Sequence, residues 1–262
     1  MPEGDTLFRI AATLGKALSG KAMRRFTSPL PALAEARLDG ETITSVEARG
    51  KNLLIHFGDG RALLTHLRMT GSWHIYRPGE RWQKPERGAR AVLETDDFVA
   101  VCFHAPVVEL LEKGGVERHE RLRRLGPDLL GGDFDAGEAR RRLRERGDQA
   151  IGDALLAQGA LAGIGNVYKS EVLFLCQTDP FLAVGALDDA TIDGLVARAR
   201  DLMGKNLEGL PRTTRAALAG PRYWVYGRGG QPCLTCGTLV RVRRQGLAGR
   251  TTYYCPRCQA VR

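Results

Sequence analysis

Four cysteines near the C-terminus constrain this chain more than any other feature. Cys233 and Cys236 form one Cys-x-x-Cys pair, Cys255 and Cys258 form a second, and eighteen residues separate them. That spacing suits a four-thiolate zinc site. Between the pairs, "LVRVRR", the glycine-bearing turn "QGLAG" and "RTTYY" describe a β-hairpin whose two ends the metal would pin. Four thiolates leave no open coordination position, so one Zn2+ per chain is expected, with a structural role. Disulfides are the competing use of such pairs. The N-terminus has no basic segment followed by an apolar stretch, which reads as an intracellular chain and argues against them. Cys102 and Cys176 stand alone in apolar strings and read as core residues.

The charge is concentrated in the same region. The chain carries a net charge of +9, and from Pro221 to Arg262 there are eight arginines (Arg222, Arg228, Arg241, Arg243, Arg244, Arg250, Arg257, Arg262) and no Asp or Glu. The other 220 residues hold 31 of the 39 basic side chains against all 30 acidic ones, so the excess is a patch. Guanidinium forks match phosphate oxygens and release counterions when they neutralise them, which points to nucleic acid as the partner. No run of eighteen uncharged apolar residues is present, so no membrane partner is expected.

At the other end the chain opens "MPEGDT". Methionine before a small residue is commonly removed, which would leave Pro2 as a free secondary amine. Such an amine adds to an aldehyde to give an iminium ion that is already positively charged. An α-amino group has a pKa near ~8 against ~10.4 for lysine, so at neutral pH far more of it is unprotonated and nucleophilic. A disordered terminus is the plainer reading of Pro2 taken alone.

Behind it, "DTLFRIAATLGKAL" places Leu7, Ile10, Ala11, Leu14 and Leu18 on one helical face, with Asp5 or a neighbour as the cap. From Thr42 to Phe103 the pattern changes to short alternating runs ("TITSVEA", "NLLIHF", "RALLTHL", "SWHIY", "RAVLET", "FVAVCF") with turn signals between several of them. These predict an antiparallel β-sandwich. The string "LRRLGPDLLGGDFDAG" reads as a linker, and beyond it "GEARRRLRER", "QAIGDALLAQGAL", "NVYKSEVLFLCQ" and "DDATIDGLVARARDLMGKNL" read as helices. The expected organisation is a β-sandwich domain over 1–121, a linker over 122–136, a helical domain over 137–220 and a zinc finger over 221–262.

Three further strings carry chemistry. The turn "AGIGN" opens a helix and could present backbone N–H groups and the Asn166 amide to an anion, or could simply let two helices pack closely. Lys51, behind Gly50, stands at the entry of an apolar strand, the usual place for a solvated lysine. In "HLRMTG", Met69 lies in a loop beside Arg68 and could be a core filler or an apolar wedge that enters a base stack.

Pro2-Glu3-Gly4, Gly50-Lys51, "HLRMTG", "LGPDLL", "GIGNVYKSE" and "VYGRGGQPCLTCG" with "GRTTYYCPRC" follow one another along essentially the full chain. In order and approximate spacing they resemble the formamidopyrimidine-DNA glycosylase and endonuclease VIII family of bifunctional base-excision repair enzymes. The resemblance implies an α+β fold of two domains: an N-terminal β-sandwich with flanking helices, and a C-terminal helix-two-turns-helix bundle with a zinc β-hairpin finger. It implies a monomer acting on damaged double-stranded DNA in the cytoplasm, associated with the nucleoid. Pro2 would attack C1′ of the damaged nucleotide, Glu3 would handle protons at the sugar, and Lys51 would bind a phosphate close by. Asn166 and Arg250 would clamp the kinked backbone, and Met69, beside Arg68, would fill the vacated stack.

Two positions depart from the formamidopyrimidine-type pattern. Thr6 stands where a second glutamate is usual, and "HAPVVELL", with Val107 and Val108, replaces an Arg-Arg-Phe string. The segment "PRTTRAALAGPRYWVYG" is also short for a loop that closes over an oxidised purine. All three point to the endonuclease VIII branch and oxidised pyrimidines, with oxidised purines as the alternative substrate and a non-catalytic zinc-finger DNA-binding protein as the alternative function.

Overall fold

Helix α1 (Gly4–Leu18) forms where Leu7, Ala11, Leu14 and Leu18 recur at helical spacing, and all four are buried. It ends at Ser19, whose backbone turns extended, and at Gly20, whose φ of +79° is a left-handed conformation that favours glycine. The cap is a neighbour of Asp5. Glu3 occupies the N-cap position and caps through its backbone carbonyl, which accepts from Thr6 N (2.9 Å) and Leu7 N (3.2 Å), while Asp5 lies buried inside the first turn.

This computed structural model describes residues 2–208, 211–216 and 219–260. Arg262 of the basic segment, residues 217–218 of the loop before the finger, and Met1 lie outside them. The chain divides into two compact units, Met1–Arg123 and Arg124–Arg262.

In the first unit, eight strands follow α1: β1 (Arg25–Thr27), β2 (Ile43–Arg49), β3 (Asn52–Phe57), β4 (Ala62–His66), β5 (Ser72–Tyr76), β6 (Ala89–Glu94), β7 (Val99–Phe103) and β8 (Val107–Leu111). They form two four-stranded antiparallel sheets, ordered β2-β3-β4-β8 and β1-β6-β7-β5. The alternation read in the sequence sorts side chains between faces. Leu53, Ile55 and Phe57 of β3, Leu63 of β4, Leu93 of β6, and Ala100 and Cys102 of β7 share one core with the inner face of α1. Trp73 of β5 donates through Nε1 to Thr65 Oγ1 of β4 (3.1 Å), joining the sheets by a buried hydrogen bond. Two short helices, α2 (Gly115–Arg118) and α3 (Glu120–Arg123), close the unit.

The second unit contains α4 (Ala136–Arg144), α5 (Ile151–Ala154), α6 (Asn166–Leu175), α7 (Asp189–Gly204) and the hairpin β9 (Arg241–Gln245) and β10 (Arg250–Tyr254). Helix α5 is a single turn, shorter than the apolar run around it predicted. Asp135 and Asp188 cap α4 and α7, accepting from the N–H groups of Glu138 and Thr191. Leu143, Leu161, Tyr168, Leu173, Leu195 and Met203 are among the residues that pack its core.

Helix α6 leaves no face to solvent: Lys169, Ser170 and Glu171 are all fully buried. Glu171 accepts from the backbone N–H groups of Trp224 (2.8 Å), Val225 (2.9 Å) and Tyr226 (2.8 Å) and from the Thr214 hydroxyl. A buried carboxylate is costly unless its lone pairs are satisfied, and here backbone donors satisfy them. Among the described residues no helix is long and apolar enough to cross a membrane.

Glu171→Ala would strand three buried N–H groups and is expected to destabilise the second unit by about 3–5 kcal/mol. A lowered urea midpoint checks this, and Glu171→Gln is expected to lose less.

Candidate active site and nucleic-acid interface

The first residues of the chain are placed by the sense in which α1 packs. Its C-terminal end meets the start of β2, where Gly20 N donates to Ile43 O (2.8 Å), and Gly15 lies against Val46 midway along that strand. Helix and strand therefore run in opposite directions. Eleven helical residues back from Gly15 to Gly4 span about 16 Å, and five extended residues on from Val46 to Lys51 span about 17 Å. The N-terminus of α1, with Pro2 and Glu3, thus comes level with the Gly50-Lys51 turn. Glu3 is fully buried and Pro2 half-buried. Gly50 is required by that turn, since its φ is +57° between the paired residues Arg49 and Asn52.

The same end of the sheet carries the Met69 loop. Antiparallel pairing of β3 with β4 sets Leu53 opposite Thr65, so His66 and the residues after it emerge beside Asn52 and Lys51. Met69 is 71% exposed at the loop tip. Arg68 precedes it with φ +46°, and its N–H donates to His66 Nδ1 (3.2 Å). Gly71 closes the loop in a space where a Cβ would stand 2.7 Å from Leu67 O. Thr70 Oγ1 donates to His104 O (3.1 Å), tying the loop to the β7–β8 connection. Val107 and Val108 pair with His66 and Thr65 as the first residues of β8, so they lie within a strand and leave only His104 to Pro106 as the connection.

Sequence reasoning passed over His66. Burial, then the charges of Arg121, Lys51 and Arg68, lower its pKa to about 4, so the imidazole is neutral at physiological pH. With Nδ1 accepting from Arg68, the remaining ring nitrogen carries the proton and can donate.

In the second unit, Asn166 opens α6 behind Gly163, whose φ is +95°. Its Nδ2 donates to Thr251 O of β10 (2.6 Å), while its buried Oδ1 has no partner. One amide hydrogen therefore holds the hairpin and the other remains available to a ligand. The glycine turn offers an anion less than expected, because Gly163 N–H is taken by Gln158 Oε1 (3.1 Å). Lys169, another residue not anticipated, extends the attachment by donating to Thr252 Oγ1 (2.6 Å), which donates in turn to Gln245 Oε1 (2.7 Å). An α6 apolar on every side was the readable signal for both Lys169 and Glu171, since it left no solvated face for their charges.

Arg250 begins β10, exposed. Arg241, Arg243 and Arg244 are exposed on β9, with Arg243 stacked over the Phe181 ring (4.6 Å). Arg228 leaves the patch: it is buried and donates to Trp224 O (2.6 Å) and Pro232 O (2.8 Å).

The four cysteine sulfurs lie within 4.8 Å of one another. Cys233 and Cys258 Sγ are 3.9 Å apart and Cys236 and Cys255 Sγ 3.4 Å. These separations are far beyond the ~2.05 Å of a disulfide and close to the roughly 3.8 Å between thiolates at ~2.3 Å from a tetrahedral zinc. The donor set fits one structural zinc, and Thr235 N–H and Cys258 N–H point at Cys233 and Cys255 Sγ (3.4 and 3.5 Å).

Comparison with known proteins covers both units. Residues 1–106 match the formamidopyrimidine-DNA glycosylase N-terminal domain, 125–216 its H2TH domain, and 230–261 a zinc finger found in FPG and IleRS. The chain is 43% identical to "Probable endonuclease 8 2" of Streptomyces coelicolor, over 99% of this chain and 94% of that protein. It is 40% identical to "DNA-(apurinic or apyrimidinic site) lyase Nei2" of Mycolicibacterium smegmatis over the full length of both. Among solved structures, wild-type Lactococcus lactis Fpg bound to DNA containing N7-benzyl-Fapy-dG superposes with a TM-score of 0.84 at 26% identity, covering 99% of this chain and 100% of that one.

Two measurements check the site. His66 is expected to titrate near pH 4 by NMR, and because its pKa is lowered from 6.5, stability should be complete above that value and fall as pH drops from 6.5 towards 4. His66→Gln is expected to flatten that segment. Metal analysis is expected to find one zinc per chain, and its removal by a chelator should unfold the hairpin.

Proposed function

Since the chain belongs to the formamidopyrimidine-DNA glycosylase and endonuclease 8 family, we propose that it is a base-excision repair DNA glycosylase with AP-lyase activity, acting on oxidised pyrimidines in duplex DNA through Pro2. What supports this reading is that α1 runs against β2, so that Pro2 and Glu3 begin the helix at the end nearer the Gly50-Lys51 turn.

The Pro2 nitrogen adds to C1′ of the damaged nucleotide as the bond to the base breaks. The amine then gives up its proton and the C1′–O4′ bond breaks, O4′ taking a proton, to leave an iminium ion. This makes the C2′ proton acidic, and loss of the 3′ and then the 5′ phosphate leaves a one-nucleotide gap. Glu3, buried beside Pro2, moves protons at the sugar. Lys51 binds a phosphate next to the reacting nucleotide. Asn166 and Arg250 hold the backbone from the second unit, Met69 fills the space of the flipped nucleotide, and Arg68 contacts the strand beside it. The zinc, when bound, stiffens the hairpin that presents Arg250 and takes no part in the reaction. The enzyme works as a monomer with the nucleoid in the cytoplasm, and its domains follow the sequence boundaries at 121, 136 and 220.

Thr6, the strand placement of Val107 and Val108, and the short segment before the finger support oxidised pyrimidines over purines. Borohydride is expected to trap the protein covalently on abasic or thymine-glycol duplexes, and Pro2→Ala to lose most of that trapping. Trapping by Pro2→Ala at the wild-type rate would contradict the mechanism. Glu3→Gln is expected to lower base release by roughly 10²–10⁴-fold with DNA binding retained. On a panel of single-lesion duplexes, faster release of 8-oxoguanine than of thymine glycol would move the substrate to purines and leave the chemistry in place.

A further inference from the structure

Helix α3 brings a residue that no motif marked to the catalytic end of the first unit. Two contacts orient it: His119, just before the helix, has Nε2 3.0 Å from Glu109 Oε2, and Leu122 is buried. On the sheet face that carries Glu109, the next rung pairs Val107 with His66. Two side chains between these anchors are exposed, Glu120 and Arg121, and Arg121 is the one whose charge reaches His66. Its charge is the largest of the three that act on His66, ahead of Lys51 and Arg68. Among the described residues neither Arg68 nor Arg121 has a carboxylate paired with its guanidinium.

Like charges brought to one place repel one another, and the two oxygens of a phosphate are the ligand that the guanidinium fork matches best. We propose that Arg121 is a further DNA-binding residue, which together with Lys51 and Arg68 holds a backbone phosphate beside the reacting nucleotide. The neutral His66 ring, on which all three charges act, can donate to the same phosphate without adding to their repulsion. This inference rests on the DNA-repair reading above, since it takes the DNA backbone as the source of the anion.

The test is binding to a duplex carrying tetrahydrofuran as a non-reactive abasic site, measured by fluorescence anisotropy from 50 to 200 mM KCl. Each phosphate neutralised contributes about 0.9 to the slope of log affinity against log salt concentration. Arg121→Ala is expected to reduce the slope by about that amount, with an unchanged melting temperature, and Arg121→Lys to restore it. A slope equal to wild type in Arg121→Ala, or a loss of affinity of the same size at every salt concentration, would overturn the assignment. Wild-type protein that binds no damaged duplex would overturn the DNA-repair reading as well, which separates the two failures.

Discussion

The antiparallel packing of α1 on β2 is the contact on which the proposed chemistry depends. A chain terminus can act as a reagent only if the fold holds it in place, because a frayed end would lose its effective concentration at the reacting carbon. Here the apolar stripe of α1 is sealed into the sandwich core, and the helix runs so that its first turn arrives at the Gly50-Lys51 turn. That sense of packing directs the Pro2 amine and the buried Glu3 carboxylate toward the end of β2 that Lys51 follows. The His66 and Met69 segment reaches the same sheet end because β4 pairs antiparallel with β3.

The second unit solves a different problem, which is how to hold a small arginine-rich hairpin that has little apolar surface of its own. Zinc ties its ends, but attachment to the helices runs through polar side chains buried on α6. Asn166 and Lys169 bind β10, while Glu171 gathers the backbone amides of residues 224–226. Such contacts are directional in a way that apolar packing is not, so they fix the hairpin in one register. The Phe174 ring, stacked with Trp224 at 5.8 Å, adds an apolar contact alongside.

Much of this was legible in the sequence, and for identifiable reasons. Cysteine spacing, the period of α1 and the alternation of β2 to β7 are local patterns that tertiary context did not override. The strands β1 and β8 were missed, the first because three residues carry no period and the second because "VVELL" is a continuous apolar and acidic run. Helix α5 was overestimated because its apolar neighbours are buried as turns rather than as helix. Asp5 looked like a cap and is instead buried. At the site, His66, Lys169 and Glu171 lie inside sequence motifs and Arg121 outside them, but all four take their character from partners far along the chain. Arg228 shows the reverse case, an apparent member of a charged patch that the fold uses for backbone hydrogen bonds.

The central claim concerns one nitrogen atom. Protein reduced with borohydride on abasic DNA can be digested with protease and nuclease and the modified peptide sequenced by mass spectrometry. The account predicts a deoxyribose-derived mass on the first residue of a peptide that begins at Pro2. A modified lysine side chain, or an active protein whose N-terminal peptide still begins at Met1, would contradict it.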